Sequence, residues 1–339
     1  MKKRIISVVK YLVFLFIGIG LLWLVFRKLD LHSIADEIKH ANYWWIGLSI
    51  ILGVFSHLFR ALRWNLMINF LGYKTRTSTT FYAVMVGYLA NTAIPRLGEI
   101  TRCGVLSKKD KIPFDSLFGS VIAERVFDII VLAFIMFAVI IFQLDLLSGF
   151  LSKHVISPIN SKFSNNGLSS IIIISVIVLL LALFIVLLKL YAPRLRKLSF
   201  FNKIETFFTG LLDGIKTILK IKTKALFLFY SFMIWVCYSA MTYIAFFAMQ
   251  ATSKLTVIDG ITVMSLGSFG FIAPVPGGIG AYHFIVKAVL VELYKVPSEP
   301  AASYATILHS AQTIMIILVG AFAYLMLMLL TRKSKNEES

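Results

Sequence analysis

Apolar runs of membrane-spanning length alternate along this chain with short polar segments. About 20 consecutive apolar residues cross a bilayer as a helix. Six runs of the 339-residue sequence come close to that length, namely 8–26, 44–62, 117–142, 168–190, 225–250 and 302–330. The pattern therefore predicts an all-α polytopic membrane protein with six full transmembrane helices.

Two shorter apolar segments end in breaks that contain proline and glycine. Segment 79–95 runs into NTAIPRLGEIT, and segment 257–274 runs into PVPGGIG before a further apolar stretch at 279–294. Proline removes a backbone donor and glycine loosens a helix. Because broken backbone at membrane depth is tolerated only inside protein or beside a cavity, the two breaks indicate a transporter-like binding site.

Lysine and arginine are concentrated in alternate connections. The stretches 60–76, 96–111 and 189–224, together with the two termini, carry 24 of them, against 8 in the other connections. The positive-inside rule then places both termini in the cytoplasm. Both flanks of 79–95 become cytoplasmic and both flanks of 257–294 become external, so we expect two re-entrant elements that enter from opposite faces.

This order predicts an inverted repeat within one membrane domain over 1–339. The half-repeats would be about 1–142 and 168–339, joined by an outer loop at 143–167. Eight ordinary transmembrane helices are the alternative. Segments 29–42 and 195–219 place apolar residues at helical spacing among charged ones, which predicts interfacial helices.

Composition agrees with a membrane protein. The chain is 59% hydrophobic and 15% charged, and its mean hydropathy is +0.86. Its net charge of +18 lies in short loops, so anionic lipid headgroups explain it better than nucleic acid does. Scattered histidines and the absence of a nucleotide-binding loop predict no metal, no cofactor and no ATP-driven pump acting alone.

Three ionisable residues fall early in segment 117–142. A charge at the centre of a bilayer costs about 2.5–3.5 kcal/mol. Glu124 and Asp128 are four residues apart and share a helix face, and Arg125 can pair with Asp128. The functional interpretation is a site for a charged headgroup or a proton relay. The alternative is a structural ion pair close to the cytoplasmic surface.

The inner break supplies further candidates, which are Asn91, Pro95, Arg96, Gly98, Glu99 and Arg102. Arg96 and Arg102 carry forked donors that fit phosphate oxygens. Glu99 could hold an arginine in place or bind a coupling cation. In the simpler interpretation, the arginines are ordinary positive-inside residues.

The outer break supplies a different kind of candidate, backbone N–H groups. Pro274, Pro276, Gly277, Gly278 and Gly280 lead into a helix that starts near residue 281. A glycine-rich turn that opens a helix exposes N–H groups to an anion, although it can also be a plain tight turn. His283 on that helix is a candidate ligand or a hydrogen-bonded packing residue.

Three separated motifs resemble a known family. GYLANTAIPRLGEITR, AERVFD and PVPGGIGAY, in this order, are similar to the flippase-like membrane domain of the lysylphosphatidylglycerol synthase family. The resemblance covers nearly the whole chain. It implies a domain that moves aminoacylated phosphatidylglycerol between leaflets along a path formed by two re-entrant elements. The positions that match are Asn91, Pro95, Arg96, Gly98, Glu99, Arg102, Glu124, Arg125, Asp128, Pro274, Pro276, Gly277, Gly278 and Gly280.

Full-length synthases also carry a cytoplasmic acyltransferase domain, and we expect none within the 339 residues of this sequence, up to Ser339. We therefore expect a stand-alone, non-enzymatic lipid translocase of the bacterial cytoplasmic membrane. Its partners would be a phospholipid or lipid-linked substrate and a separately encoded transferase; the sequence indicates no oligomeric state. Two other functions remain open. One is a lipid-modifying enzyme or lysyltransferase subunit that uses Glu124 and Asp128 as acid and base, and the other is a small-anion secondary transporter.

Overall fold

The computed structural model describes residues 2–144 and 223–337, with residues 146 and 148, and describes side chains from residue 12 to residue 330 of these ranges. The predicted span 168–190, the predicted interfacial helix 195–219 and nearly all of the loop 143–167 lie outside them. The described residues form α1 (Lys2–Phe26), α2 (Leu31–His40), α3 (Tyr43–Phe70), α4 (Thr77–Ala93), α5 (Leu97–Asp110), α6 (Phe114–Phe142), α7 (Lys224–Ala245), α8 (Val257–Ile272), α9 (Ala281–Glu292) and α10 (Ser298–Glu337). Two 3-10 turns, Phe246–Ala248 and Pro276–Gly278, follow α7 and α8.

The prediction of an all-α multi-pass membrane protein is confirmed. Within the described residues, α3, α6, α7 with its following turn, and α10 are long and apolar enough to cross a membrane. A fifth span comes from α1 if the bent pair of α1 and α2, which turns by 92°, counts as one. The outward faces of these helices expose large apolar side chains such as Phe134, Phe142 and Leu318. Such a surface suits lipid and not water.

The predicted end of the second span at residue 62 is wrong. Helix α3 continues to Phe70, and it carries Arg60 and Arg63 inside the bundle, where both are buried. Counting these two arginines as cytoplasmic loop residues was therefore also wrong. They are tolerated within the helix because carboxylates on α6 neutralise them, as described below.

Helices α3 and α7 form the central antiparallel pair. Near one end the rings of Trp45 and Phe247 lie 5.2 Å apart, and near the other Arg63 donates to Ser231. Residues later in α3 thus contact residues earlier in α7, so the two helices run antiparallel. The pair supplies a rigid wall against which the shorter helices pack.

Helices α4 and α5 form a first hairpin, hairpin 1, which returns to the face of the bundle where it begins. Thr75, just before α4, donates a hydrogen bond to Asp110 at the end of α5. At the same face, Lys109 donates to the carbonyl of Leu330 near the end of α10, at 2.8 Å. We call this the basic face, because it also carries Lys74 and Lys108.

Helices α8 and α9 form a second hairpin, hairpin 2, at the opposite face. Gln143, which follows α6, donates through Nε2 to Asp259 at the start of α8 and to Tyr294 beyond the end of α9, at 2.8 and 3.4 Å. Hairpin 2 therefore also begins and ends at one face. Two hairpins of this kind agree with the expected re-entrant elements and not with eight ordinary spans.

The tips of the two hairpins are in contact. A Cβ atom placed on Gly277, in the tip of hairpin 2, would lie 3.7 Å from the Cα atom of Thr92, in the last turn of α4. Gly280 in the same tip packs directly against the backbone of Gly18 on α1. The two breaks predicted from the sequence are thus in contact.

Helix packing repeats between the two parts of the chain. Hairpin 1 packs through α4 on α3 and α10, and hairpin 2 packs through α8 on α7 and α6. Helix α5 packs on α6 as α9 packs on α10. If α3–α6 are matched in order to α7–α10, each of these contacts has a counterpart, as an inverted repeat requires. The half-repeat bounds 1–142 and 168–339 include residues beyond the described ones and stay a prediction.

Candidate functional site

A cluster of buried and partly buried charges joins α3, α5 and α6. We call it the arginine–carboxylate cluster. Its members are Arg60 and Arg63 on α3, Glu99 and Arg102 on α5, and Glu124, Arg125 and Asp128 on α6. Buried charges are stable only when they are paired and hydrogen-bonded, so the arrangement of pairs decides what each residue can do.

Glu124 is the centre of the cluster, and its side chain is fully buried. Its Oε1 atom accepts from Arg60 Nη1 at 2.6 Å and from Arg63 Nη2 at 3.0 Å. Its Oε2 atom lies 3.3 Å from Arg102 Nη2, a charge contact without hydrogen-bond alignment. Three guanidinium groups thus converge on one carboxylate, which ties α6 to both α3 and α5.

Asp128 lies one turn further along the same face of α6, as its spacing from Glu124 predicts. It contacts Arg60 Nη1 at 2.9 Å and Arg63 Nη1 at 2.8 Å through its two different oxygens. Arg125, expected from the sequence to be its partner, is only at 3.9 Å. The main partners of Asp128 therefore come from α3 and not from its own helix.

The Glu99–Arg125 pair forms the accessible edge of the cluster. Arg125 Nη2 lies 3.1 Å from Glu99 Oε1, and their side chains are 36% and 23% exposed, against 0–4% for Arg60, Arg63, Arg102 and Glu124. The ion pair on this edge joins the first turn of α5 to α6. A ligand from outside reaches Arg125 before any other arginine of the cluster.

The cluster carries more positive than negative charge. In their ionised forms, its four arginines face three carboxylates within the described residues. The Nε atoms of all four arginines also have no hydrogen-bond acceptor among the described residues. A surplus guanidinium charge with unused N–H donors favours an anion with several acceptor oxygens, such as phosphate.

Two candidates of the inner break have structural roles. Asn91 Oδ1 accepts from the backbone N–H of Gly98 at 2.7 Å, which closes the tip of hairpin 1. Gly98 itself packs against the backbone of Gly87, so the two helices touch there. Arg96, directly after Pro95, has a left-handed backbone with φ 65° and an exposed side chain that makes no ion pair with any described residue.

The outer break forms a compact turn. Gly278 and Ile279 donate their N–H groups within it, to Val275 and Pro276 at 3.2 and 3.1 Å, so these two N–H groups are not open to an anion. Pro274 is exposed at its edge. Positive φ angles of 58°, 76° and 80° explain why Gly277, Gly278 and Gly280 are glycines.

Two histidines support the outer turn from behind. His309 on α10 is hydrogen-bonded through Nε2 to the carbonyl of Gly277 at 2.9 Å, and its ring lies 4.7 Å from that of His283. Both are buried; Tyr282 contacts both rings, and Phe271 stacks on the ring of His309. Within the described part of the chain, no group of His, Cys, Asp or Glu side chains could hold a metal ion.

Sequence reasoning missed Arg60 and Arg63 as site residues. Their partners are Glu124 and Asp128, 61 to 68 residues away, so no local spacing indicates the pairs. One signal was available, because the three ionisable residues of α6 predict buried counter-charges. Arg60 and Arg63 share a helix face at the end of an apolar run, which makes them candidates for these counter-charges.

These features define a multi-pass membrane protein with two re-entrant hairpins and an ionised site within its helix bundle. The chain belongs to the family described as "Lysylphosphatidylglycerol synthase TM region", whose sequence model matches residues 8–320. The resemblance noted from the three motifs is thereby confirmed.

Two curated relatives match parts of the chain. The UPF0104 membrane protein MJ1595 of Methanocaldococcus jannaschii is 26% identical over 148 residues, which are 43% of this chain and 44% of the relative. Glycosyltransferase AglD of Haloferax volcanii is 24% identical over 131 residues, 38% of this chain and 20% of the relative. The matches thus span less than half the length of either relative. No solved structure is significantly similar.

Proposed function

We propose that this protein moves a phospholipid or lipid-linked anionic headgroup between the leaflets of a bacterial cytoplasmic membrane. The headgroup would pass beside the arginine–carboxylate cluster and the contact between the hairpin tips, while the acyl chains stay in lipid. Moving a bare phosphate through hydrocarbon is prohibitive. Arg125, and Arg96 at the tip of hairpin 1, would replace its hydration.

One observation carries the proposal: a cluster with one more arginine than carboxylates places one of its arginines, Arg125, at its accessible edge. Arg125 is partly exposed, with Glu99 at 3.1 Å and Asp128 at 3.9 Å, whereas the other three arginines are buried. A guanidinium group that is partly exposed can bind the phosphate oxygens of a ligand that approaches from outside. The re-entrant hairpins support the proposal, because such elements form substrate paths in many secondary transporters.

The proposal assigns no chemical reaction to the chain. Glu124 and Asp128 are engaged by arginines, which leaves them poorly placed as acid and base. The name of the Haloferax relative gives the enzyme alternative some support, and a separately encoded transferase that supplies the lipid is part of our proposal. Mass spectrometry of lipids incubated with the purified protein tests the alternative, since a changed lipid mass would favour an enzyme.

Leaflet exchange in proteoliposomes is the direct test of translocation. With fluorescent phosphatidylglycerol and a membrane-impermeant quencher, wild-type protein is expected to expose inner-leaflet lipid to quenching. Arg125→Gln and Arg96→Ala are expected to lower the exchange rate at least about tenfold, because each removes charge-assisted hydrogen bonds to phosphate. Normal exchange in either variant would remove that residue from the path.

A matched control keeps this experiment specific. Arg76→Gln removes one positive charge from an exposed side chain at the start of α4 and should leave exchange unchanged. Uptake of radiolabelled phosphate without lipid exchange would instead support a small-anion transporter. Exchange of phosphatidylcholine at the same rate as phosphatidylglycerol would contradict an anion-selective path.

The proposed orientation, with both termini and the basic face in the cytoplasm, predicts a labelling pattern. Lys108→Cys and Lys254→Cys would be made in a background that lacks the two buried cysteines, Cys103 and Cys237. In intact cells, a membrane-impermeant maleimide should label residue 254 only, and permeabilised cells should show both. Labelling of residue 108 in intact cells would reverse the orientation.

A further inference from the structure

We propose that Glu99 is an internal anion that occupies Arg125 until a phosphate group displaces it. The inference rests on the proposed function and deepens it, because it assigns a gate and a ligand chemistry to the accessible edge of the arginine–carboxylate cluster. The ligand is a phosphate group, carried by a lipid headgroup or free in solution.

The contacts of the cluster divide it into a fixed part and an exchangeable part. In the fixed part, Glu124 and Asp128 each contact at least two arginines, and Glu124 is fully buried. In the exchangeable part, Arg125 contacts Glu99 through a single Nη2–Oε1 pair at 3.1 Å, and its contact with Asp128 in the fixed part is longer, at 3.9 Å. Removing a partner from the fixed part would strand a buried charge. Separating the exchangeable pair would not, because both side chains reach the surface.

The pair also leaves hydrogen-bonding capacity unused. Arg125 Nε and Glu99 Oε2 have no hydrogen-bond partner among the described residues. Guanidinium is a planar fork that binds two phosphate oxygens in parallel. A phosphate group that replaces Glu99 therefore substitutes a two-point contact for a one-point contact, with no change in the fixed part of the cluster.

The displaced carboxylate has another cation close by in the sequence. Arg96 precedes Glu99 by three residues at the start of α5, and its exposed side chain makes no ion pair with any described residue. Both residues lie at the same end of α5, Arg96 directly before the first helical residue and Glu99 in the first turn. Pairing with Arg96 would compensate Glu99 after it leaves Arg125.

Displacement would also loosen hairpin 1. Two ion pairs tie α5 to α6 among the described residues, Glu99–Arg125 and Arg102–Glu124. The second is buried and would persist, while the first lies nearest the tip of the hairpin, because Glu99 is in the first turn of α5. Ligand binding would thus release the first turn of α5 from α6, while Arg102, one turn further along α5, stays paired with Glu124.

Removing the internal competitor should strengthen binding. Purified full-length protein in a non-ionic detergent would be titrated calorimetrically with dihexanoyl phosphatidylglycerol and, separately, with inorganic phosphate. Glu99→Gln is expected to bind the short-chain lipid about tenfold more tightly than wild type. In an Arg125→Gln background the same substitution should have no effect, because the contested cation is gone.

Matched variants decide whether the effect is specific. Asp36→Asn removes one negative charge from an exposed position on α2 and should leave the affinity unchanged. If Arg125→Gln fails to fold, Arg125→Lys keeps the charge and removes the fork, and it should reduce the gain from Glu99→Gln. An unchanged or weaker affinity in Glu99→Gln, or a gain that survives in the Arg125→Gln background, would overturn the proposal.

The two proposals fail differently. Tight lipid binding by Glu99→Gln without leaflet exchange by wild type would support the displacement of Glu99 and contradict the proposed translocation. Leaflet exchange that needs Arg125, with no affinity gain in Glu99→Gln, would support translocation and contradict the displacement of Glu99. A gain seen for inorganic phosphate and not for the lipid would identify the ligand as a soluble anion.

Discussion

Replacing Glu124 by alanine is expected to destabilise the protein by about 3–5 kcal/mol, the cost of breaking a buried ion pair from one side. Three arginines, Arg60, Arg63 and Arg102, converge on this one carboxylate. Without it, Arg60 and Arg63 share Asp128 alone, and Arg102 loses its carboxylate contact while it stays buried. The loss should exceed that from any exposed acidic residue, whose ion pairs contribute about 1 kcal/mol or less.

The measurement is the free energy of unfolding in mixed micelles, together with the yield of monodisperse protein. Asp115→Asn is the matched control, since Asp115 is exposed in the first turn of the same helix. The free energy of unfolding of Glu124→Gln should lie between those of Glu124→Ala and Asp115→Asn, because an amide oxygen still accepts hydrogen bonds but does not neutralise the arginines. A stable Glu124→Ala protein would mean that the arginines find other partners, and the cluster would not be the anchor of α6.

The sequence was sufficient for features that depend on local composition. Proline and glycine mark both breaks, and basic residues on both flanks of 79–95 predict a segment that returns to its own face, as hairpin 1 does. The same reasoning predicts hairpin 2. Each of these inferences uses residues within about 20 positions of the feature, so no knowledge of the packing was needed.

The site was less predictable, because its pairs are distant in sequence. A hydropathy window treats Arg60 and Arg63 as the end of a span, since it contains no information about Glu124 and Asp128. Only folding brings α3 and α6 together and makes the two arginines compatible with a helix that continues to Phe70. The exposure of Glu99 and Arg125, on which both proposals depend, is likewise a property of packing.

The outer break shows a different limit. Its glycines predict exposed backbone N–H groups, but those of Gly278 and Ile279 donate to carbonyl groups within the turn. His309, 32 residues from Gly277, supports the turn through a hydrogen bond that no motif contains. A glycine-rich sequence therefore identifies where the backbone bends, and the packed structure determines which of its groups stay free for a ligand.

Gly98→Ala is expected to force the helices of hairpin 1 apart. A Cβ atom on Gly98 would overlap the carbonyl oxygen of Gly87 and would lie 2.7 Å from the side chain of Asn91. Both neighbours are constrained, the first as backbone and the second by its own hydrogen bond to Gly98. Overpacking of this kind costs about 1–3 kcal/mol, and the shift would carry Glu99, the next residue, away from Arg125.

Gly104 on the same helix is the control, because a Cβ atom there would meet no heavy atom within 4 Å. Gly104→Ala should be neutral or stabilising, since alanine favours a helix over glycine by about 1 kcal/mol. The two substitutions add the same methyl group to α5, but only Gly98→Ala is expected to lower the free energy of unfolding. Leaflet exchange should fall in Gly98→Ala alone. Equal effects at the two glycines would show that helix propensity, and not the contact between α4 and α5, determines the result.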